Sequence, residues 1–161
     1  EGITYPEYHH FFVRTLEEVY SAHLHSIERS TTDTHTITEQ ELEDYLIQHL
    51  SLIEDGLRYI DRQVWIKDGR IDVLAMDRES RYVILELKVA EDKELLWQCL
   101  YYPSAFQEKE KVKDVRMITI APDYPKHILH PLKKIKGIEM VQYTPYIKFG
   151  KIQSLDIKWV N

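Results

Sequence analysis

The chain has 161 residues, 43% of them hydrophobic, which is enough for one well-formed core and too few to make two independent domains the default. Its net charge of -6 means that the whole molecule does not attract phosphate by its net field, so any nucleic-acid contact has to come from a local basic patch. Cys99 is the single cysteine. It excludes an intramolecular disulfide framework and a cysteine-based zinc site, and it suits a reducing cytoplasm. No apolar run approaches the length of a membrane span, and nothing at the start resembles a secretory signal. The sequence opens on Glu1 rather than Met, as a piece cut from a longer chain would, so flanking domains are an open expectation.

In chain order, residues 7–29 carry Phe12, Leu16, Val19, Tyr20 and Ile27 at helical spacing, which predicts an amphipathic helix ahead of the core. The polar stretch RSTTDTHT then reads as a linker. Next, TEQELEDYLIQHLSLIEDG offers Thr38 as N-cap with Glu41 three residues on, a capping box. Leu42, Tyr45, Leu46 and Ile53 share one face, and Gly56 is the stop. QVWIK, IDVLAM and YVILELK, separated by short turns, predict a three-stranded meander. EDKELLWQCLYYPSAFQEK predicts a second helix that Pro103 should kink or end, because proline removes the amide that would bond the Cys99 carbonyl. VRMITIA reads as a buried strand and YPKHILHPLKKIK as a helix interrupted by Pro131. IEMVQY, YIKF and QSLDIKWV read as closing strands.

Two carboxylates stand out in the meander, because Asp72 and Glu86 sit in two of the most apolar runs of the chain. In an antiparallel pair, opposed residues keep a constant index sum and point to the same face. If DRESR forms the loop, Met76 opposes Tyr82 and Asp72 opposes Glu86, with Cβ atoms about 4.5–5.5 Å apart. Facing like charges destabilise a sheet, so this arrangement needs a cation. Lys88, two residues after Glu86, projects on the same face and supplies part of the compensation. A divalent metal would supply more, since Mg²⁺ is held by one or two carboxylates while keeping waters and binding phosphate oxygens. The alternative is a solvated surface salt bridge of little consequence.

Asp72 followed by Glu86-Leu87-Lys88 resembles the catalytic motif of the PD-(D/E)XK nuclease superfamily, with Glu86-x-Lys88 as its E-x-K element; Ile71 stands where the motif's name has proline. Gln98 and Tyr102 resemble the Q-x-x-x-Y motif of the RecB-like branch. TEQELEDYLIQHLSLIEDGL resembles the helix that opens the NucS/EndoMS-type nuclease domain and contributes a further acid, and VRMITIAPDY with GIEMVQY resembles the end of that domain. The resemblance covers roughly residues 37–150. It implies an α/β fold, a restriction-endonuclease-like αβββαβ core with a mixed central sheet flanked by helices. An N-terminal helical extension and linker over 1–36 would precede a nuclease domain over 37–161 that ends in the C-terminal strands.

The resemblance further implies metal-dependent phosphodiester hydrolysis. Asp72, Glu86 and the Leu87 carbonyl would ligate Mg²⁺ or Mn²⁺, and Lys88 would orient water or neutralise the transition state. Glu39, preferred over Glu43, would complete the metal shell. Gln98 and Tyr102, one helical turn apart, would position Lys88, a water or the substrate; their other reading is a buried polar pair satisfying each other. KEKVK at 109–113 and KHILHPLKKIKG at 126–137 are candidate phosphate-tracking patches or simply solvated faces. The histidines lack zinc-enzyme spacing. Trp65 and Trp97 read as core residues, and Trp159 as either core or stacking. The expected activity is an endodeoxyribonuclease in DNA repair or defence against foreign DNA, with DNA favoured over RNA. It would be cytoplasmic, without a membrane partner, acting as a homodimer or beside additional domains or a protein partner. The alternatives are a catalytically silent module of the same fold that binds nucleic acid or protein, and an RNase.

Overall fold

A computed structural model describes residues 36–160, so the helix expected at 7–29 lies outside the described residues. Helix α1, Glu39–Leu46, opens on the anticipated capping box: the Thr38 side chain accepts from the Glu41 amide, and the Glu41 carboxylate accepts from the Thr38 amide. It ends ten residues before Gly56. The His49 ring takes the Tyr45 carbonyl at 2.7 Å and stacks on the Tyr45 ring, so a side chain occupies the acceptor on which the next helical amide would close. A short 3-10 turn, Leu50–Leu52, then returns Leu50 and Ile53 to the core.

Strands β1 (Arg58–Ile66), β2 (Gly69–Met76) and β3 (Tyr82–Leu87) form the expected antiparallel meander. Helix α2 (Leu95–Glu110) leads to β4 (Val115–Ala121), parallel to β3, and helix α3 (Lys126–Leu132) leads to β5 (Ile138–Lys148), parallel to β4. Strand β6 (Lys151–Trp159) closes an antiparallel hairpin with β5. The result is one six-stranded mixed sheet in sequential order, the αβββαβ core with added C-terminal strands. Parallel neighbours need a crossover, and α2 and α3 supply the two crossovers on one face.

Leu42, Leu46, Leu50 and Ile53 cover one face of the sheet through Val73, Val83, Leu85, Ile118 and Val141. Leu95, Cys99, Tyr102, Phe106, Ile128 and Leu132 cover the other through Leu74, Ile84, Met117 and Met140. Both faces are therefore dry, which explains the near-continuous apolar runs of β3 and β4.

Several local expectations are corrected. Helix α2 runs through Pro103 without ending. Two strands close the sheet instead of three, because β5 passes through Pro145; β4 pairs with β5 only as far as Gln142, so the missing amide of Pro145 costs no bond to β4. Trp65 and Trp97 are not core residues but are 68% and 48% exposed. Trp65 lies under the Arg70 guanidinium and Trp97 stacks on Tyr101. Among the described residues no helix is long and apolar enough to cross a membrane.

Candidate active site

The β2–β3 ladder runs from Met76/Tyr82 to Val73/Leu85, the register expected from a DRESR loop. One step further the ladder changes character. Where Asp72 and Glu86 would face each other, Asp72 Oδ2 accepts the Leu87 amide at 2.8 Å. The Lys88 amide turns to the Ile120 carbonyl at 2.9 Å, which extends the pairing with β4. A carboxylate thus replaces a main-chain acceptor where β2 and β3 part, at the carboxyl end of β3, where open α/β sheets hold their ligands.

Glu86 is 1% exposed and Lys88 is 6% exposed. Lys88 Nζ donates to Glu86 Oε1 at 3.0 Å and lies 2.9 Å from Asp92 Oδ2. Asp92 was invisible as a site residue in the sequence. It lies four residues from Lys88 in a loop, where that spacing carries no helical meaning. Glu86 Oε2 is buried with no hydrogen-bond partner.

Burial, and then the neighbouring Asp72 charge, push the Glu86 carboxyl up to about 8 against the pull of Lys88. Burial raises Asp72 to about 6; the Leu87 amide and Lys88 oppose that rise, and Glu39 and Glu43 add to it. Burial alone would lower the Lys88 ammonium, but Glu86 and Asp92 outweigh it and hold the group above the ordinary lysine range. The single lysine leaves both carboxylates short of positive charge.

A cleft of about 410 Å³ opens beside Asp72, lined by Glu39, Gln40, Glu43, Arg62, Gln63 and Arg70 as well. Both α1 acids therefore reach it, but differently. Glu39 is exposed, whereas Glu43 is buried, accepts a hydrogen bond from Gln63 Nε2 and lies 3.3 Å from Arg62 Nη1. The neighbouring pairs Arg62/Val73 and Val64/Ile71 place Gln63 across from Asp72. Its backbone is left-handed, at φ 54°, a conformation that non-glycine residues hold only when their surroundings enforce it. Arg62 and Gln63 were absent from the sequence reading, since a kink inside a strand leaves no compositional mark.

Gln98 Nε2 donates to Tyr102 Oη at 3.3 Å, and both residues are buried. Neither hydrogen-bonds Asp72, Glu86 or Lys88, and Gln98 Oε1 is buried without a partner. Tyr102 packs on Gly69, where a Cβ would fall 2.6 Å from the ring.

Hard oxygen donors short of positive charge, one of them orphaned, fit a divalent cation. Among the described residues no three carboxylate, His or Cys side chains form a ready cage. Asp72 and Glu86 are the carboxylates at hand, and Mg²⁺ is held by as few as one or two while it keeps water.

Comparison with known proteins gives a consistent picture. Residues 38–156 match the family model described as the Endonuclease NucS C-terminal domain. Endonuclease NucS of Pyrococcus furiosus is 35% identical over 138 residues, covering 85% of this chain and 51% of that protein. Endonuclease NucS of Methanocaldococcus jannaschii is 34% identical over 86 residues, covering 53% of this chain and 33% of its own. Among solved structures, a repair endonuclease from Pyrococcus abyssi superposes with a TM-score of 0.58 at 30% identity, covering 65% of this chain and 46% of that one. An EndoMS–double-stranded DNA complex gives 0.58 at 28% identity over 64% of this chain and 43% of its own. The chain spans about half the length of the Pyrococcus furiosus relative.

Proposed function

The chain belongs to the NucS C-terminal domain family, and from that membership together with the site we propose that it is the nuclease part of a Mg²⁺- or Mn²⁺-dependent endodeoxyribonuclease. One observation carries the reading: Asp72, Glu86 and Lys88 converge where β2 and β3 part, and Glu86 Oε2 is buried there without a partner. A fold that burned this much desolvation energy on a structural ion pair would satisfy both oxygens.

Asp72, Glu86 and the Leu87 carbonyl would hold the cation, which when bound polarises phosphate and acidifies water. Lys88, fixed by Glu86 and Asp92, presents a positive charge to the negative charge that builds on the phosphoryl oxygens as the ester breaks. Glu39, whose charge acts on both Asp72 and Glu86, and Glu43, held by Gln63 and Arg62, both line the cleft and would hold a water beside the cation. Arg70, on the cleft rim and stacked on Trp65, would take a flanking phosphate. Gln98 and Tyr102 support the floor of the site through Gly69. DNA is favoured as substrate by the likeness to the EndoMS complex with double-stranded DNA. A partner copy or the remainder of a longer protein would supply further contacts.

The test is incubation of the protein with single-stranded, double-stranded and forked DNA and with RNA, in Mg²⁺, Mn²⁺ or EDTA, beside Lys88→Ala. Metal-dependent cleavage of DNA that the variant loses is the expected result. Cleavage of RNA alone would reassign the substrate. Binding without cleavage in any metal would mean a silent module of the same fold.

A further inference from the structure

The β5–β6 hairpin is longer than the sheet needs. Strand β4 pairs with β5 only to Gln142, yet β5 and β6 stay paired out to Lys148 and Lys151. Because β3, β4 and β5 are parallel, the extra length projects from the sheet edge that carries Glu86 and Lys88. The base of the projection is tied to the site, since Tyr143 Oη donates to the Lys88 carbonyl at 3.1 Å. Tyr45 on α1 donates to the Gln153 carbonyl at 3.4 Å. Five residues of strand separate Tyr143 from Phe149, and Ile147 and Ile152, next to the tip, still pack against the core, so only the turn itself stands clear of the sheet.

Three features of that tip work against its own stability. The turn residues are Phe149 and Gly150, with φ of 53° and 67°, the left-handed pair that favours Asn-Gly and penalises a bulky aromatic. Phe149 is 86% exposed. Lys148 and Lys151 are directly opposed across the hairpin, a like-charge pairing that weakens a sheet. Local choices that oppose the fold concentrate where function demands them. The charge pattern is one-sided: no acidic residue falls between Glu139 and Asp156 in a chain with 27 acids. The Lys148 ammonium sits over the Phe149 ring, 5.3 Å from its centroid.

We infer that the β5–β6 tip, with Phe149 flanked by Lys148 and Lys151, is a second nucleic-acid contact that grips the DNA away from the scissile phosphate. The inference rests on the nuclease reading above. A polyanion relieves the facing lysines by displacing their counterions, and an exposed ring flanked by cations stacks on a base or wedges at a step.

The test is fluorescence anisotropy of the full chain with a labelled duplex of about 20 base pairs across a salt series, with thermal melting of every variant alongside. Lys148→Ala with Lys151→Ala should lower the slope of log affinity against log salt by about 2. Phe149→Asn should weaken binding about tenfold while melting no earlier than the parent, because Asn suits the turn. Unchanged affinity and slope in both variants, beside a parent that binds DNA, would overturn the tip contact alone. A variant-dependent change of mass in sedimentation with DNA affinity intact would assign the tip to another protein copy and overturn it as well. A parent that neither binds nor cleaves DNA would remove the nuclease reading itself, and the inference with it.

Discussion

Asp92 Oδ2 lies 2.9 Å from the Lys88 ammonium nitrogen, while its other oxygen accepts the Glu94 amide at 2.8 Å. One carboxylate thus joins the site lysine to the first turn of α2, and its charge is kept by that pairing. Burial alone would raise the Asp92 carboxyl, but Lys88 and the Glu94 amide hold it below the ordinary range. In the proposed site Asp92 would therefore position Lys88. Asp92→Asn should lower kcat roughly ten- to hundredfold with KM little changed, and Asp92→Glu should recover part of the loss. A loss confined to thermal stability, with kcat intact, would reduce Asp92 to a loop brace.

The cation deficit at Asp72 and Glu86 has a thermodynamic signature that needs no substrate. Mg²⁺ binding only the folded chain should stabilise it by about 2.7 kcal/mol at a hundredfold excess over its Kd. Glu86→Gln removes the carboxylate that pairs with Lys88 through Oε1 and leaves Oε2 without a partner, so the variant should gain little on adding Mg²⁺ where the parent gains. Melting curves of both proteins over a Mg²⁺ series read this directly; equal gains in the two would contradict the proposed ligand.

At the opposite end of the strands, Arg116 reaches Asp77, Glu54 and Glu139 at 3.0, 2.7 and 2.9 Å. Asp77 has no exposed surface and also takes the Arg81 amide and guanidinium at 2.9 and 2.8 Å. Burial would raise its carboxyl, but the Arg81 amide, Arg116 and the Arg81 side chain together hold it below the ordinary value. A depressed folded pKa contributes stability above the unfolded value, about 3.9, and that contribution is lost as pH falls through the folded one. Asp77→Asn should cost about 1–3 kcal/mol at neutral pH and flatten the acid limb of stability below about pH 4. Denaturant melts at neutral and acid pH would show it, and parallel pH profiles for parent and variant would refute it.

Gly69 is required by Tyr102 and not by its own backbone angles. A Cβ there would lie 2.6 Å from the ring and 2.8 Å from Oη of the buried Tyr102. Gly69→Ala should cost about 1–3 kcal/mol, and most of that cost should vanish in a Tyr102→Ala background, as a double-mutant cycle would report.

What the sequence revealed, and what it hid, divides by range. Periodicity placed β2, β3 and β4, and a constant index sum brought Asp72 to Glu86, because short loops leave few registers. Lys88 followed from the two-residue period of the strand. The break in α1 was hidden, since it depends on the His49 ring reaching the Tyr45 carbonyl and not on a glycine or proline. The hold on Glu43 was also out of reach, because the residue that bonds it, the kinked Gln63, is distant in sequence. Trp65 and Trp97 misled because large apolar side chains are read as core by default, whereas here cation and ring stacking keeps them at the surface.

The left-handed turn at Gln63 has a second effect. Among the described residues strand β1 is an outermost strand of the sheet, and such a strand, if regular, offers its free amides and carbonyls to any passing chain. A register slip between Tyr59 and Asp61 and the reversed φ at Gln63 break that row twice within one strand, and Arg58, Asp61 and Arg62 add charge along it. The distortion that braces Glu43 thereby also denies other chains a template, so straightening Gln63 to please the strand would trade away protection against edge-to-edge aggregation along with the site.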